Sequence, residues 1–301
     1  MIVDSMAMQH AKWAEHAKRV PWRADVPSLN YLLTSTCWRN DHNGFSHQGP
    51  GFIDTIIHRK AAVARVYLPP DANCLLSVAD HCFKSVNYLN LIVIDKQPQL
   101  QWLTMDEAIA HCTKGAGVWD MYCNQPDQPD IVLACAGDIP TQEIIAAAWL
   151  LRRHTPGLKI RVVNVVDLMR LCPPDRHPHG MSDTAFVGVF TATAPVVFAF
   201  HGYPGVIHDL LHGRAEHDRF HVRGYLEEGT TTPFDMVVLN KMSRLHLCLD
   251  VMRYVPGILA DSGALIAYCT GLLEEHERYI RLHFDDLPEI KDWVWSKQAA
   301  G

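Results

Sequence analysis

Apolar runs alternate with polar, turn-forming stretches through the first third of the chain, and they predict a parallel β/α arrangement. Strands are predicted over residues 28–35, 63–68 and 88–94. The last of these runs is almost wholly apolar, as expected for a strand that is covered on both faces. Between the second and third strands, Asp71 is placed to cap a helix over residues 72–83. The pattern predicts a doubly wound sheet.

A helix is predicted at the beginning of the chain, over residues 2–18. Ile2, Met6, Trp13 and Ala17 keep roughly helical spacing. No capping residue precedes Ile2, so we expect the chain to open inside an element.

A second α/β unit is predicted after residues 124–130, a polar stretch whose prolines are typical of a domain boundary. Its three predicted strands cover residues 131–136, 158–166 and 195–200. Asp138 or Thr141 is placed to cap the helix that runs through His154. The order of strands and helix predicts another doubly wound sheet.

One further helix is predicted near the end of the chain. Thr232, Pro233 and Asp235 form a T-x-x-D start with proline at the first helical position. Apolar residues then continue at helical spacing: Val238, Met242, Leu245, Leu249 and Met252. Such a stripe predicts a single helix that buries one face in the core.

The composition is that of an ordinary globular protein of 301 residues, long enough for two domains. The formal net charge of -6 and the pI of about 6.3 argue against a nucleic-acid or membrane-surface binder, which usually shows a basic face. No apolar run approaches the roughly 20 residues of a membrane span. The nine cysteines form no C-x-x-C pair and lie mostly in apolar runs. We therefore expect reduced thiols and a cytoplasmic protein.

The loop after the first predicted strand is crowded with polar side chains. Residues 40–48 read Asn-Asp-His-Asn-Gly-Phe-Ser-His-Gln and include His42 and His47. Two imidazoles on an irregular loop can converge on one substrate and can donate, accept or carry a proton near neutral pH. Lys96 follows the third predicted strand, and ligands of open α/β sheets lie at the carboxyl ends of strands. The two features together predict one site, although each alone is also compatible with solvated side chains.

Another pair of histidines, His177 and His179, is separated by a single proline. A metal site would need further cysteine or carboxylate ligands at a recognisable spacing, and the sequence offers none. The pattern favours a rigid surface loop over a metal site.

Several longer strings of residues carry a resemblance to a known family. They include WRNDHNGFSHQ at 38–48, VYLPPDANC at 66–74, KIRVVNVVDLM at 159–169, FAFHGYP at 198–204 and EEGTTTPFDM at 227–236. Together they resemble the xylulose-5-phosphate/fructose-6-phosphate phosphoketolases, and the resemblance runs from about residue 2 to Trp295. So many long strings in the same order make the resemblance specific to this family.

The resemblance implies an α/β, transketolase-like fold with two doubly wound, mostly parallel-sheet domains, of which the first is incomplete. Residues 1–123 would be part of the pyrimidine-binding domain, and residues 124–301 would be the phosphoketolase C-terminal domain. The family uses thiamine diphosphate and magnesium to cleave a ketose phosphate with inorganic phosphate. The products are acetyl phosphate and a shorter aldose phosphate.

The resemblance also implies roles for individual side chains. His47 would approach the thiamine and is a candidate for proton transfer. His42 and Lys96 would bind the sugar phosphate, and Asn40 and Asn43 would bind inorganic phosphate. These roles suit the side chains, since amides donate hydrogen bonds, lysine supplies a point charge and imidazole moves protons.

The chain departs from the family in two positions and in length. Family members usually carry Gln in place of Asn40 and Asp in place of Gly49, and a shorter amide is expected to hold inorganic phosphate less well. The family's magnesium-binding G-D-G…N motif has no counterpart, because Gly137-Asp138 is followed by Ile. The glutamate that activates the thiamine lies upstream of the matching region. We therefore expect the main cofactor-binding elements to be absent from this chain.

Three readings remain open at this point. The chain is the C-terminal portion of a phosphoketolase, inactive alone and completed by the missing N-terminal portion. Alternatively, it is a non-catalytic remnant or split subunit that associates with itself or with other phosphoketolase chains. A third reading is an unrelated α/β module that binds phosphosugars through Lys96 and the loop.

Overall fold

The computed structural model describes residues 2–34, 36–39, 50–58, 61–226, 229, 231–255, 257–258 and 262–295. Its strands are β1 Leu29–Leu33, β2 Ala64–Tyr67, β3 Leu89–Val93, β4 Ala116–Val118, β5 Ile131–Ala136, β6 Ile160–Val165, β7 Val196–Phe200 and β8 Phe220–Arg223. The helices before β5 are α1 Ile2–Arg19, α2 Gly51–Ile57, α3 Ala72–Phe83 and α4 Met105–Lys114. Those after it are α5 Asp138–His154, α6 Asp183–Phe190, α7 Pro204–Leu211, α8 Pro233–Leu239, α9 Arg244–Tyr254, α10 Gly263–His283 and α11 Pro288–Lys291.

The strands form two sheets. The first has three parallel strands in the order β1-β3-β2, and the second has five in the order β4-β6-β5-β7-β8. Within the described ranges, β4 runs antiparallel to β6, and the other pairs in the second sheet are parallel. The predicted α/β class with mostly parallel sheets is therefore confirmed.

The central strand β5 explains why its run of residues is apolar throughout. All six of its residues are buried. Ile131, Leu133 and Cys135 pack in the cluster that contains residues of α5 and α9. The residues between them, such as Val132 and Ala134, pack in a second cluster that also holds residues of β2 and β3. Successive side chains point to opposite faces of a strand, so this alternation fills both faces of the sheet.

The predicted start of the helix after the second strand agrees with the structure. Asp71 is the N-cap of α3, and its Oδ1 accepts a hydrogen bond from the Cys74 amide at 2.8 Å.

The first strand of the second sheet in chain order, β4, lies before residue 124, so that sheet begins ahead of the predicted boundary. The boundary itself stays a prediction. Among the described residues, no helix is long and apolar enough to cross a bilayer.

Two helix predictions were wrong in detail. The apolar stripe after Pro233 does not form one helix, because the chain breaks between α8 and α9 and Lys241 adopts φ 54°. Thr232 is the N-cap of α8, but its hydroxyl donates to Asp286 instead of closing a capping box. For α5, the N-cap is Gly137, neither Asp138 nor Thr141.

Candidate functional site

The carboxyl ends of β1 and β3 lie side by side, and the predicted site follows them. The two strands pair in parallel with Leu33 opposite Val93. Lys96 follows β3 and is exposed. The loop follows β1, but the four predicted residues on it, Asn40, His42, Asn43 and His47, lie outside the described residues. The structure thus brings the start of the loop and Lys96 to one edge of the sheet.

The chain just before the loop is held firmly at this edge. Trp38 is completely buried, and its ring lies edge-on to the rings of His201 at 6.2 Å and Tyr225 at 5.9 Å between centroids. The Arg39 guanidinium lies 3.8 Å from the Asp95 carboxylate. Because Asp95 immediately precedes Lys96, this ion pair joins the start of the loop to the segment after β3.

Asp95 also shapes the turn that carries Lys96. Its carboxylate accepts hydrogen bonds from the Gln97 amide at 3.0 Å and from the Gln99 side chain at 2.6 Å. Burial raises the pKa of Asp95. The turn is therefore organised by a carboxylate beneath it, and Lys96 stands on its exposed side.

The second sheet contributes a buried His–Asp pair next to Trp38. His201 comes directly after β7 and Asp138 follows β5 after Gly137; the two strands pair in parallel with Ala136 opposite Phe200. The His201 Nδ1 lies 3.6 Å from Asp138 Oδ1, and both side chains are buried. Burial alone lowers the pKa of His201, but its interactions with Cys37 and Asp138 outweigh burial and raise the pKa to about 10.

Gly137 allows this close approach. It has φ 109°, and a Cβ on it would lie 2.7 Å from the Cβ of His201. Only glycine tolerates both the left-handed backbone and the contact. Sequence reasoning treated Asp138 only as a possible helix cap and gave His201 no role. Their position at the carboxyl ends of buried parallel strands was the available signal.

We expect replacement of His201 by glutamine to flatten the decline of stability between about pH 7 and about pH 8.5. The folded pKa of about 10 lies above the ordinary 6.5, so the folded chain keeps a proton that the unfolded chain releases. The stability from this proton is complete below pH 6.5. It falls as the pH rises toward 10, by up to about 1.4 kcal/mol per pH unit. Urea unfolding at several pH values measures this slope.

His246→Gln is a matched control for that measurement. The pKa of His246 is lowered by burial to about 4, so this side chain is neutral throughout the pH range tested. Its replacement should leave the slope unchanged. An equal slope in the parent chain and in the His201 variant would contradict the expected protonation.

A crevice opens beside the start of the loop. Its volume is about 760 Å³, within the range of roughly 300–1,000 Å³ that is typical of small-molecule sites. Its lining includes Arg39, Gln99, Phe234, Arg244, Asp286 and Trp293. The crevice therefore combines residues of both halves of the chain next to the predicted site.

The described residues do not provide a metal site. Among them, no group of three or more His, Cys, Asp or Glu side chains could hold a metal ion. His177, predicted to lie in a surface loop, is buried, and one of its ring nitrogens lies 2.9 Å from the Ala64 carbonyl oxygen.

Two family models match most of this chain. Residues 96–295 match the XFP C-terminal domain family, and residues 1–85 match the D-xylulose 5-phosphate/D-fructose 6-phosphate phosphoketolase family. A probable phosphoketolase of Rhodopseudomonas palustris (strain BisB5) is 57% identical over 295 residues. The match covers 98% of this chain and 38% of that protein. The chain thus spans well under half the length of this relative.

Solved structures of transketolases share the fold. A transketolase mutant from Pichia stipitis matches with a TM-score of 0.56 and 16% identity over 78% of this chain and 31% of that chain. An inactive beta4 tetramer of a split-gene transketolase matches with a TM-score of 0.51 and 13% identity over 76% of this chain and 65% of that chain. The fold is therefore transketolase-like. On the family matches, the chain belongs to the D-xylulose 5-phosphate/D-fructose 6-phosphate phosphoketolases.

Proposed function

We propose that this chain supplies the sugar-phosphate side of a cytoplasmic phosphoketolase active site. The reaction converts a ketose phosphate and inorganic phosphate into acetyl phosphate, a shorter aldose phosphate and water. The observation that carries the proposal is the parallel pairing of β1 with β3. Together with the Arg39–Asp95 ion pair, it supports a site in which the start of the loop and Lys96 share one edge of the sheet.

Each predicted residue has a role that its chemistry can perform. Lys96 and His42 bind the phosphate-bearing end of the ketose, since a point charge and an imidazole donor both suit phosphate oxygens. Asn40 and Asn43 donate hydrogen bonds to inorganic phosphate. His47 moves a proton during the reaction. Arg39 and Asp95 position the loop and contact no substrate in this proposal.

We further propose that a complementary N-terminal portion completes the site. Thiamine diphosphate supplies the electron sink for carbon–carbon cleavage when bound, and in this proposal it and magnesium are held mainly by that other portion. Two observations support this division. The chain spans 38% of the length of a relative at 57% identity, and the similar split-gene transketolase subunit is an inactive beta4 tetramer.

The test is to combine this chain with the N-terminal portion of the Rhodopseudomonas palustris relative. We expect acetyl phosphate to form from xylulose 5-phosphate and inorganic phosphate only when both portions, thiamine diphosphate and magnesium are present. Acetyl phosphate is measured as its hydroxamate. A folded and associated mixture that forms no acetyl phosphate would rule out the catalytic proposal.

A second candidate is a non-catalytic subunit that associates with itself or with other phosphoketolase chains. Large apolar side chains near the start of the chain favour it: Ile2 is 78% exposed, Met6 63% and Trp22 85%. Ile2 and Met6 lie four residues apart on one face of α1, and neighbouring exposed apolar groups are typical of an interaction surface. This candidate predicts association without acetyl phosphate formation, whereas the first predicts both.

A further inference from the structure

A second cavity, of about 340 Å³, lies at another junction between the sheets. There the end of β2 meets the end of β6: Tyr67 bridges to Asp167, and the Leu68 amide donates to the Val166 carbonyl at 2.8 Å. The cavity is lined by residues of α3, α4 and the segments after β6. Lys96, the one residue of the proposed phosphoketolase site that the structure describes, is not among the lining residues.

A His–Asp pair forms one wall of this cavity. The His179 Nδ1 lies 2.6 Å from Asp167 Oδ2, and Asp167 Oδ1 accepts a hydrogen bond from the Met169 amide at 2.9 Å. The Arg170 guanidinium donates to the His179 carbonyl at 2.8 Å. The imidazole is thereby fixed in orientation, and the carboxylate is occupied by partners of this chain.

His81 contributes a hydrogen-bond donor from the opposite side. Its Nε2 lies 2.7 Å from Arg65 Nη1, which can only donate, so Nε2 is the acceptor. Burial and the neighbouring Arg65 charge lower the pKa of His81, which keeps the ring neutral near pH 7. In that state the proton resides on Nδ1, which remains a donor.

The lining carries more positive than negative charge. Lys114 and Arg170 both line the cavity, and Asp167 is the one carboxylate among the lining residues. His179 and the Met169 amide already contact the Asp167 carboxylate. The wall is therefore suited to a ligand group that carries negative charge and accepts hydrogen bonds.

Two lining residues also hold donors that the chain leaves unused. The Arg170 Nε is buried and has no hydrogen-bond partner among the described residues, and the buried Tyr67 hydroxyl, which lies beside the Arg65 guanidinium, has no acceptor among them. Buried polar groups in folded proteins are normally paired, so these two donors leave this wall of the cavity incompletely satisfied.

We propose that this cavity binds the oxyanion group, phosphate or carboxylate, of a small metabolite. Lys114 and Arg170 supply the charge, and His81 supplies a directed donor. Charged nitrogen donors favour such groups because hydrogen bonds between ionised partners are the strong ones. The inference is independent of the phosphoketolase proposal, since it uses a separate set of side chains.

The test follows the histidine ring signals by NMR while inorganic phosphate or citrate is added at pH 7 and constant ionic strength. His81→Gln and His179→Gln identify the two signals among the 18 histidines. We expect both signals to shift saturably with at least one of the anions. Shifts with phosphate alone would assign the site to phosphoryl groups, and shifts with citrate would assign it to carboxylates as well.

Charge variants separate this cavity from other phosphate sites. Lys114→Glu should weaken binding by roughly tenfold or more, since it replaces an attractive charge by a repulsive one. Lys159→Glu changes an exposed lysine just before the opposite end of β6 and should leave binding unchanged. Lys96→Met should likewise have no effect on these signals. Unshifted His81 and His179 signals, unchanged affinity in Lys114→Glu, or lost binding in Lys96→Met would each overturn the proposal.

Discussion

Replacement of Arg244 by methionine is expected to lower the free energy of unfolding by about 3–5 kcal/mol. Glu143 of α5 is 1% exposed and Arg244 of α9 is 4% exposed. The guanidinium donates to the two carboxylate oxygens at 2.7 and 3.1 Å, and the Arg244 backbone amide donates at 2.7 Å. Methionine fills a similar volume but leaves a buried carboxylate with one donor. Urea unfolding of the isolated chain measures the loss.

The double variant Glu143→Gln with Arg244→Met is the control for that experiment. A neutral amide still accepts the backbone hydrogen bond and carries no charge that needs a partner, so most of the lost stability should return. If the single variant lost less than about 1 kcal/mol, or if the double variant were no more stable than the single one, buried charge would not be the cause.

Replacement of His47 by glutamine is expected to lower kcat by roughly 10²–10⁴, the usual contribution of a positioned acid or base. The chain would be fused in place of the matching C-terminal portion of the Rhodopseudomonas palustris relative, and acetyl phosphate formation would be followed. Because glutamine keeps the hydrogen-bonding capacity but cannot exchange a proton at neutral pH, KM for the sugar phosphate should change little.

Lys96→Met in the same fusion is the matched comparison. Loss of the charge should raise KM for the sugar phosphate much more than it lowers kcat, since that contact is present in the bound substrate as well as in the transition state. The proposed division of roles would be wrong if His47→Gln acted only on KM or if Lys96→Met left KM unaltered.

The interior strands of the fold could be predicted from sequence because they bury both faces. β3 and β5 are apolar nearly throughout, and that pattern does not depend on any distant partner. β4 was missed because it has only three residues and is defined by its antiparallel pairing with β6. Such short edge strands carry almost no signal of their own.

The break between α8 and α9 shows a different limit. The apolar residues on both sides keep helical spacing, so the periodicity predicted one helix. In the structure, the Asn240 side chain donates to the Met236 carbonyl and accepts from the Leu226 amide, and Lys241 takes a left-handed backbone. Because the contact to Leu226 joins segments distant in sequence, a local pattern could not reveal the break.

The candidate site was predictable only in part for the same reason. The crowded loop and Lys96 are visible as sequence features, and strand ends tell where to look. In the buried pair of Asp138 and His201, the pKa of His201 is raised partly by Cys37, a residue more than a hundred positions earlier in the chain. No spacing rule connects such groups.

The burial of Trp38 between His201 and Tyr225 has a consequence for how the sequence can vary. The indole lies just before the loop, whereas the two rings that contact it follow strands of the second sheet. A substitution that reshapes the surroundings of the indole is expected to move Trp38 and Arg39, and with Arg39 its ion pair to Asp95. Residues around His201 and Tyr225 are therefore expected to change together with Trp38 among related sequences.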